Sequence, residues 1–241
     1  PLIKDFAPGP LWFVETLLVF SLIVLVPWRL GLLSTTPPAQ VTVAQVVGFS
    51  AVLAVLSFLV RLVFPIGATV WHLQLAYFPQ YVLLFALGVR AGSAQVFARL
   101  PRQWFWPCTA LSLAGALLVP IVVLINGGVD GRFLGGLTWQ AVVVCLLEAV
   151  VCPAASIAMI LLFRDRIPAG QRWWSVLGEN SYAVYIVHAP VCVLLSLSVR
   201  SLVLPLLAKF LLVSVLGVGL TLAAAVALRH WGGRTVRAVV G

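Results

Sequence analysis

Residues 11–29 read LWFVETLLVFSLIVLVPWR, an apolar run of the length that crosses a lipid bilayer. Trp12 and Phe13 stand at its start, and aromatic side chains are enriched where a membrane meets water. Glu15 lies about one turn further in. A carboxylate at that depth extends towards water, stays protonated or lines a wet cavity. The run therefore predicts a transmembrane helix that begins near the interface and carries one acidic residue, Glu15, as a candidate for lining a cavity.

The composition extends this prediction to the whole chain. Of the 241 residues, 63% are hydrophobic and 9% are charged, whereas soluble domains have roughly 45–50% and about 25%. Too few polar groups remain to cover a soluble globule. The apolar runs are continuous in Leu, Val and Ala, and do not alternate as transmembrane β-strands do. We therefore expect an all-α, polytopic integral membrane protein, with residues 1–241 forming a single membrane domain.

Seven segments are long and apolar enough to span a bilayer, and Pro- and Gly-rich linkers separate them. They cover residues 11–30, 41–63, 75–92, 104–125, 138–163, 177–199 and 202–228. In the third segment, Gly88 and Gly92 have the spacing of a close helix–helix contact. The sequence thus predicts about seven transmembrane helices joined by short loops.

The lysines and arginines of the loops predict the orientation, because cytoplasmic loops are enriched in them. Ten of the fifteen basic residues fall on one side: Arg29, Arg90, Arg99, Arg102, Arg164, Arg166, Arg172, Arg229, Arg234 and Arg237. The other five are Lys4, Arg61, Arg132, Arg200 and Lys209. The richer side is predicted to be cytoplasmic, which places Pro1 outside and Gly241 inside the cell membrane. Since membrane orientation explains the net charge of +9, nucleic acid is not expected as a partner.

Polar side chains crowd the first half of the third segment. Gln74, Tyr77 and Tyr81 share one helical face at spacing i, i+3, i+7, and Gln80 lies beside them. Amides and phenols can hydrogen-bond a polar acceptor such as a sugar, and they also anchor helices at the interface. We predict that these four side chains line a substrate cavity.

Glu148 is the acid in the middle of the fifth segment, and Cys145 and Cys152 lie on its face. A charge at this depth requires a polar partner, so Glu148 is expected to bond a side chain on another helix. The four cysteines lack the spacing of a zinc site or a disulfide framework. No metal site is predicted.

The sixth segment contains GENSYAVYIVHAP at residues 178–190. Ser181, Tyr185 and His188 form one polar stripe at i, i+4, i+7 on an otherwise apolar helix. His188 could act as a base or proton shuttle. Alternatively, it could be a structural histidine that bonds the carbonyl freed by Pro190.

Several of these stretches, in this order, resemble the C-terminal part of the acyltransferase-3 family, with its glucan-modifying members nearest in character. The resemblance rests on GPLWFVETLLVFSL, LQLAYFPQYVLLFALGV, a Trp-Gln…Glu helix that ends in Phe163-Arg164, LGENSYAVYIVHAPV and LVLPLLAKFLLV. It covers essentially the whole chain. It implies a fold of about ten transmembrane helices, of which the seven segments are the last seven.

The resemblance also implies a function. Such enzymes move an acyl group from cytoplasmic acyl-CoA to a hydroxyl of an extracytoplasmic glycan or similar acceptor, with no bound cofactor. The histidine and arginine held responsible lie near the family's first helix, and this chain has neither at a matching place. Because Pro1 is not methionine and a span begins at Leu11, upstream helices are expected to be missing and the fragment to be inactive alone. The side chains of Trp12, Glu15, Glu148, Ser181, Tyr185 and His188 are also expected to line the cavity, with His188 the weak catalytic candidate.

Two other function classes remain open at the level of sequence. Intramembrane Glu and His could relay protons in a proton-coupled transporter or flippase of a polar small molecule, although no internal repeat supports this alternative. A receptor-like seven-helix binder is the third possibility. The order of the family motifs favours the transferase.

Overall fold

The computed structural model describes residues 11–31, 41–70, 73–92, 96–128, 130–168 and 171–231. Within them lie eight α-helices and no strand, which confirms the predicted all-α class. The helices are α1 (Trp12–Arg29), α2 (Val43–Val63), α3 (Phe78–Gly92), α4 (Phe105–Ile125), α5 (Gly131–Leu134), α6 (Trp139–Asp165), α7 (Arg172–Ser198) and α8 (Leu206–Trp231). The predicted ends Pro1 and Gly241 lie outside the described residues.

Each of the seven predicted segments coincides with one of the longer helices. In the part of the chain that the structure describes, five helical stretches are long and apolar enough to cross a membrane: Val43–Val63, Arg102–Ile125, Trp139–Asp165, Arg172–Ser198 and Leu206–His230. Two apolar stretches are shorter, Trp12–Pro27 and Leu75–Ala91. The chain is therefore an all-α membrane protein.

Side-chain caps fix the starts of two central helices. Thr42 Oγ1 accepts the Gln45 backbone N–H at 3.3 Å, and Gln45 Oε1 accepts the Thr42 N–H at 3.0 Å, which forms a capping box before α2. Thr138 Oγ1 accepts the Ala141 N–H at 3.2 Å and donates to the Arg132 carbonyl at 2.6 Å. The second cap ties the start of α6 to the loop before it.

Two helices begin elsewhere than hydropathy predicts. The third segment opens as a 3₁₀ turn at Leu75–Tyr77 and becomes α-helical at Phe78. Pro79 then occupies the first turn, where its missing N–H costs nothing. Helix α7 begins at Arg172, five residues before the predicted 177. Within its first turns Ser175 Oγ donates to Glu179 Oε1 at 2.7 Å, so the polar start is accommodated on the helix.

Residues 14–167 form one compact unit, in which α6 packs against α2 and α4, and α2 packs against α3. Gly115 of α4 faces Val151 of α6 so closely that a Cβ there would lie 2.0 Å from Val151 Cγ2. Small residues allow such approach between membrane helices. The Gly88–Gly92 spacing has no such counterpart at Gly88, because no described neighbouring atom lies within 4 Å of a Cβ built there.

Two small apolar clusters lie along α6. Leu53 and Ala54 of α2 pack with Ala149, and Leu100 packs with Ile157 and Leu161. Because lipid is as apolar as these side chains, close packing holds the helices together, and polar contacts add to it.

Residues 1–13 and 168–241 form the second unit, whose described part is built on α7 and α8. Ala183 of α7 and Ala225 of α8 are fully buried against each other's helix. Arg229 Nη1 pairs with Glu179 Oε2 at 2.9 Å at the end of the same pair.

Candidate functional site

A partly buried ion pair joins two helices of the first unit. Arg61, in the last turn of α2, donates through Nη2 to Glu148 Oε2 of α6 at 2.5 Å. The Arg61 side chain is 2% exposed and that of Glu148 is 30% exposed. The prediction that Glu148 bonds a polar partner on another helix is confirmed.

Other groups surround the Arg61 guanidinium. Nη1 lies 3.6 Å from the thiol of Cys145, and the guanidinium carbon lies 5.3 Å from the centre of the Tyr77 ring, within cation–π range. Nε–H is buried and has no hydrogen-bond acceptor among the described residues. A buried donor without an acceptor is unusual in folded proteins and calls for an explanation.

The backbone of Arg61 is held by the loop between α5 and α6. Its carbonyl accepts the Gly136 N–H at 3.2 Å, and the Ile66 N–H donates to the Leu134 carbonyl at 2.7 Å. A Cβ on Gly135 would lie 2.5 Å from the Arg61 oxygen, so only glycine allows this approach. Gly136 adopts φ +85°, which also favours glycine. The two glycines therefore fix the end of α2 from which Arg61 extends.

Three predicted site residues of α3 and the turn before it lie close to the ion pair. The Tyr77 ring faces Arg61, and the rings of Tyr77 and Tyr81 have centroids 6.4 Å apart. The Gln80 side chain lies near the thiol of Cys152 of α6, one turn beyond Glu148. We call Arg61, Glu148, Tyr77, Gln80 and Tyr81 the Arg61 cluster. It brings a cation, an anion, two phenols and an amide together between apolar helices.

Three further predicted residues of the first half of the chain, Gln74, Glu15 and Trp12, are not assigned to that cluster. Gln74 precedes the 3₁₀ turn and is exposed, with no side-chain cap. Glu15 is exposed on α1, and no described contact joins it to the Arg61 cluster. Trp12 packs edge-on against Phe13 with centroids 6.1 Å apart. Cavity lining by these three side chains stays a prediction.

The α7 stripe divides into two parts. Ser181 is exposed, and its hydroxyl donates to the Gly178 carbonyl of its own helix at 2.8 Å. Tyr185 and His188 lie together with ring centroids 5.8 Å apart, and Phe13 packs edge-on against Tyr185 at 5.9 Å. The Tyr185 hydroxyl is buried and lacks a hydrogen bond within the described residues.

The hydrogen-bond partner of His188 differs from the one predicted for a structural histidine. Pro190 frees the carbonyl four residues earlier, that of Ile186. His188 Nδ1 instead contacts the Tyr185 carbonyl at 2.5 Å. The alternative in which His188 bonds the carbonyl freed by Pro190 is therefore wrong, because the carbonyl that His188 contacts is that of Tyr185. Whether His188 takes part in catalysis stays a prediction.

Sequence reasoning missed Arg61 as a site residue, because it assigned Arg61 to an outer loop. The structure buries it inside the last turn of α2. One signal points to it: Arg61 lies within the apolar run 41–63, and a buried cation requires a counter-charge such as Glu148. Among the described residues, no group of three or more His, Cys, Asp or Glu side chains is placed to hold a metal ion.

Comparison with known families adds to this geometry. A family model described as an acyltransferase domain, that of the acyltransferase-3 family, matches residues 1–230. Among curated proteins and among solved structures, none matches the chain. Because the family match covers nearly all of the 241 residues and the helices are those of a membrane protein, the chain belongs to the acyltransferase-3 family of membrane acyltransferases.

Proposed function

We propose that this protein is a membrane O-acyltransferase that uses acyl-CoA from the cytoplasm and acylates a hydroxyl of an extracytoplasmic glycan or a similar acceptor. In this reaction the thioester C–S bond breaks and an ester C–O bond forms. The hydroxyl proton leaves with the thiolate as free CoA. Membership of the acyltransferase-3 family supports the reaction class.

The Arg61 cluster is the observation that carries the proposal. Acyl transfer to a sugar needs hydrogen-bonding groups that orient a hydroxyl and a donor that stabilises negative charge on the carbonyl oxygen. Tyr77, Tyr81 and Gln80 supply the first kind of group, and Arg61 supplies the second. The unsatisfied Nε–H of Arg61 is a buried donor without an acceptor in the described structure. An oxygen atom of the bound substrate would satisfy it.

Glu148 has a supporting role in this proposal. Its carboxylate pairs with Nη2 and fixes the guanidinium, so that Nε keeps one direction. Removing Glu148 would leave the Arg61 charge buried and uncompensated. We therefore treat Glu148 as a positioning residue rather than as the catalytic base.

The orientation with Pro1 outside and Gly241 in the cytoplasm, in the cell membrane, belongs to the same proposal. Arg61 is buried within a helix and is therefore not a loop residue. The number of basic loop residues assigned to the outer side falls from five to four, against ten on the cytoplasmic side, so the charge difference between the two sides increases. Arg164 Nη1 donates to the Phe97 carbonyl at 2.7 Å, so basic loops assigned to one side do lie together.

The test is acyl transfer in membranes that contain the complete gene product. Membranes are given radiolabelled acyl-CoA, and label is measured in the glycan fraction before and after mild alkali, which cleaves O-esters. We expect alkali-labile label with the wild type and loss of most of it with Arg61→Ala. Arg132→Ala is the matched control, since Arg132 forms an exposed ion pair with Asp130. Uptake or flipping of the acceptor with no covalent label would overturn the proposal in favour of a transporter.

A further inference from the structure

Four arginines lie at the end of the first unit where α4 begins and α6 ends. They are Arg99, Arg102, Arg164 and Arg166, which we call the arginine patch. Asp165 is the acid that lies among them: Arg164 pairs with its carboxylate at 2.7 Å, and Arg102 lies 3.5 Å from it. One carboxylate does not neutralise four guanidinium groups, so the arginine patch keeps a net positive charge.

Two aromatic rings place Arg166. Its guanidinium carbon lies 4.3 Å from the centre of the Phe105 ring and 5.0 Å from that of Trp106, both within cation–π range. The Arg166 side chain is exposed, and it forms no hydrogen bond or ion pair within the described residues. Because an aromatic ring offers no oxygen acceptor, the N–H donors of Arg166 are available to an anion.

Arg99 is the second cation of the patch without an acid partner in the described part of the chain. It is exposed at the end of the 3₁₀ turn Val96–Arg99. Arg164 holds that turn, because its guanidinium donates to the carbonyls of residues 97, 98 and 100 at 2.7, 3.1 and 3.0 Å. The arginine patch therefore presents two available cations, Arg99 and Arg166, each on a part of the structure that other contacts position.

An apolar stripe continues from the patch along α4. Trp106, Leu113 and Leu117 share one helical face at spacing i, i+7, i+11, and they are 65%, 61% and 64% exposed. Tryptophan near the end of a spanning helix is typical of the membrane–water interface. The same surface thus has cations at the level of lipid headgroups and hydrocarbon at the level of lipid chains.

We propose that this surface binds one anionic phospholipid, with its phosphate at Arg99 and Arg166 and an acyl chain along Trp106, Leu113 and Leu117. Guanidinium groups bind phosphate through paired N–H donors. Basic clusters at the end of membrane helices are typical of anionic lipid recognition. A soluble phosphate would use the cations and leave the apolar stripe uncovered, whereas a phospholipid matches both. The site is independent of the acyl transfer proposed above.

Native mass spectrometry of the complete protein in detergent tests the site. Phosphatidylglycerol and phosphatidylcholine with identical acyl chains are offered in equal amounts, and the bound copies of each are counted. Each arginine near an anionic lipid strengthens binding by about fivefold. We expect the wild type to prefer phosphatidylglycerol by at least about tenfold, and Arg99→Gln/Arg166→Gln to lower that preference by at least about fivefold.

The matched control is Arg132→Gln/Arg200→Gln, which removes the same charge from two exposed arginines outside the patch. This variant should keep the wild-type preference. If Arg99→Gln/Arg166→Gln does not fold, the wild type provides a second measurement. A phosphatidylglycerol with a photoreactive diazirine close to its headgroup should label residues 99–106 or 163–167.

Four results would overturn the proposal. Equal retention of the two lipids excludes recognition of the anionic headgroup, and labelling confined to other residues places the lipid elsewhere. An equal loss of preference in the two double variants would show a general effect of net charge. Displacement of the bound lipid by inorganic phosphate, but not by sodium chloride of the same ionic strength, would identify a site for soluble phosphate instead.

Discussion

Arg61 and Glu148 lie 87 positions apart in the sequence, yet the buried Arg61 side chain forms an ion pair with the partly buried Glu148 between α2 and α6. Neither charge would be tolerated alone between apolar helices. The pair therefore links the fold of the first unit to the polar site that Tyr77 of the 3₁₀ turn and Gln80 of α3 complete.

The first prediction concerns the stability of this pair. Arg61→Ala leaves Glu148 half-buried without its counter-charge, and we expect a loss of about 3–5 kcal/mol in the free energy of unfolding. The double substitution Arg61→Met with Glu148→Leu removes both charges and should recover most of that loss. Unfolding in detergent measures both.

The exposed pair Arg132–Asp130 is the control for that series, because the Arg132 side chain is 67% exposed. Surface pairs contribute about 0–1 kcal/mol, so Arg132→Ala should change stability little. An Arg61→Ala protein that is as stable as Arg132→Ala would contradict the assignment of a buried pair.

A second prediction tests the close approach of α4 and α6. Gly115→Ala places a Cβ against Val151, and we expect a destabilisation of about 1–3 kcal/mol from overpacking. Val151→Ala in the same chain removes the clashing methyl and should restore part of the stability. Gly219→Ala on α8 has open space and serves as the control. Additive effects of Gly115→Ala and Val151→Ala would argue against the contact.

The third prediction concerns the loop that holds the Arg61 carbonyl. Gly135→Ala would force its Cβ to within 2.5 Å of that oxygen, so the loop must move away. We expect acyl transfer to fall by about tenfold or more, as a shift of about 1 Å in a positioning group can cost more than that. Gly131→Ala, where a Cβ meets open space, should keep wild-type transfer. Equal acyl transfer by the Gly135→Ala and Gly131→Ala variants would show that this loop does not affect function.

Arg164 allows a fourth prediction. Its guanidinium donates to the carbonyls of Phe97, Ala98 and Leu100, an arrangement that the single ammonium of lysine cannot reproduce. Arg164→Lys should increase hydrogen exchange of the amides at residues 96–100 by at least about tenfold. Arg99→Lys, on an exposed side chain of the same turn, should leave the exchange unchanged. Unaltered exchange in Arg164→Lys would show that other contacts hold the turn.

Hydropathy predicted the five long helices and the two shorter apolar ones, because the transfer of a segment into lipid depends mainly on its own composition. The predicted starts of α3 and α7 were less accurate. They depend on single residues, namely Pro79 and the hydrogen bond between Ser175 and Glu179, which average hydropathy does not register. The four-residue α5 was not predicted, because it depends on the Asp130 cap and not on an apolar run.

The candidate site was predictable only in part. A carboxylate at Glu148 requires a partner, but a sequence does not show which of several cations the fold brings to it. Arg61 looked like a loop residue because it ends an apolar run. Ser181 had the spacing of a site residue on α7, yet its hydroxyl bonds the carbonyl of Gly178. Shared spacing on one helix does not reveal which side chains already have a local partner.

The central claim is that the Arg61 cluster acts on substrate and does not serve the fold alone. Acyl transfer by the double variant Arg61→Met/Glu148→Leu, compared with the wild type at equal amounts of folded protein, tests this most directly. We predict a protein that folds and retains less than about one-hundredth of wild-type transfer, since removal of one oxyanion donor costs about 10²–10³-fold. A folded double variant with transfer close to that of the wild type would contradict the claim.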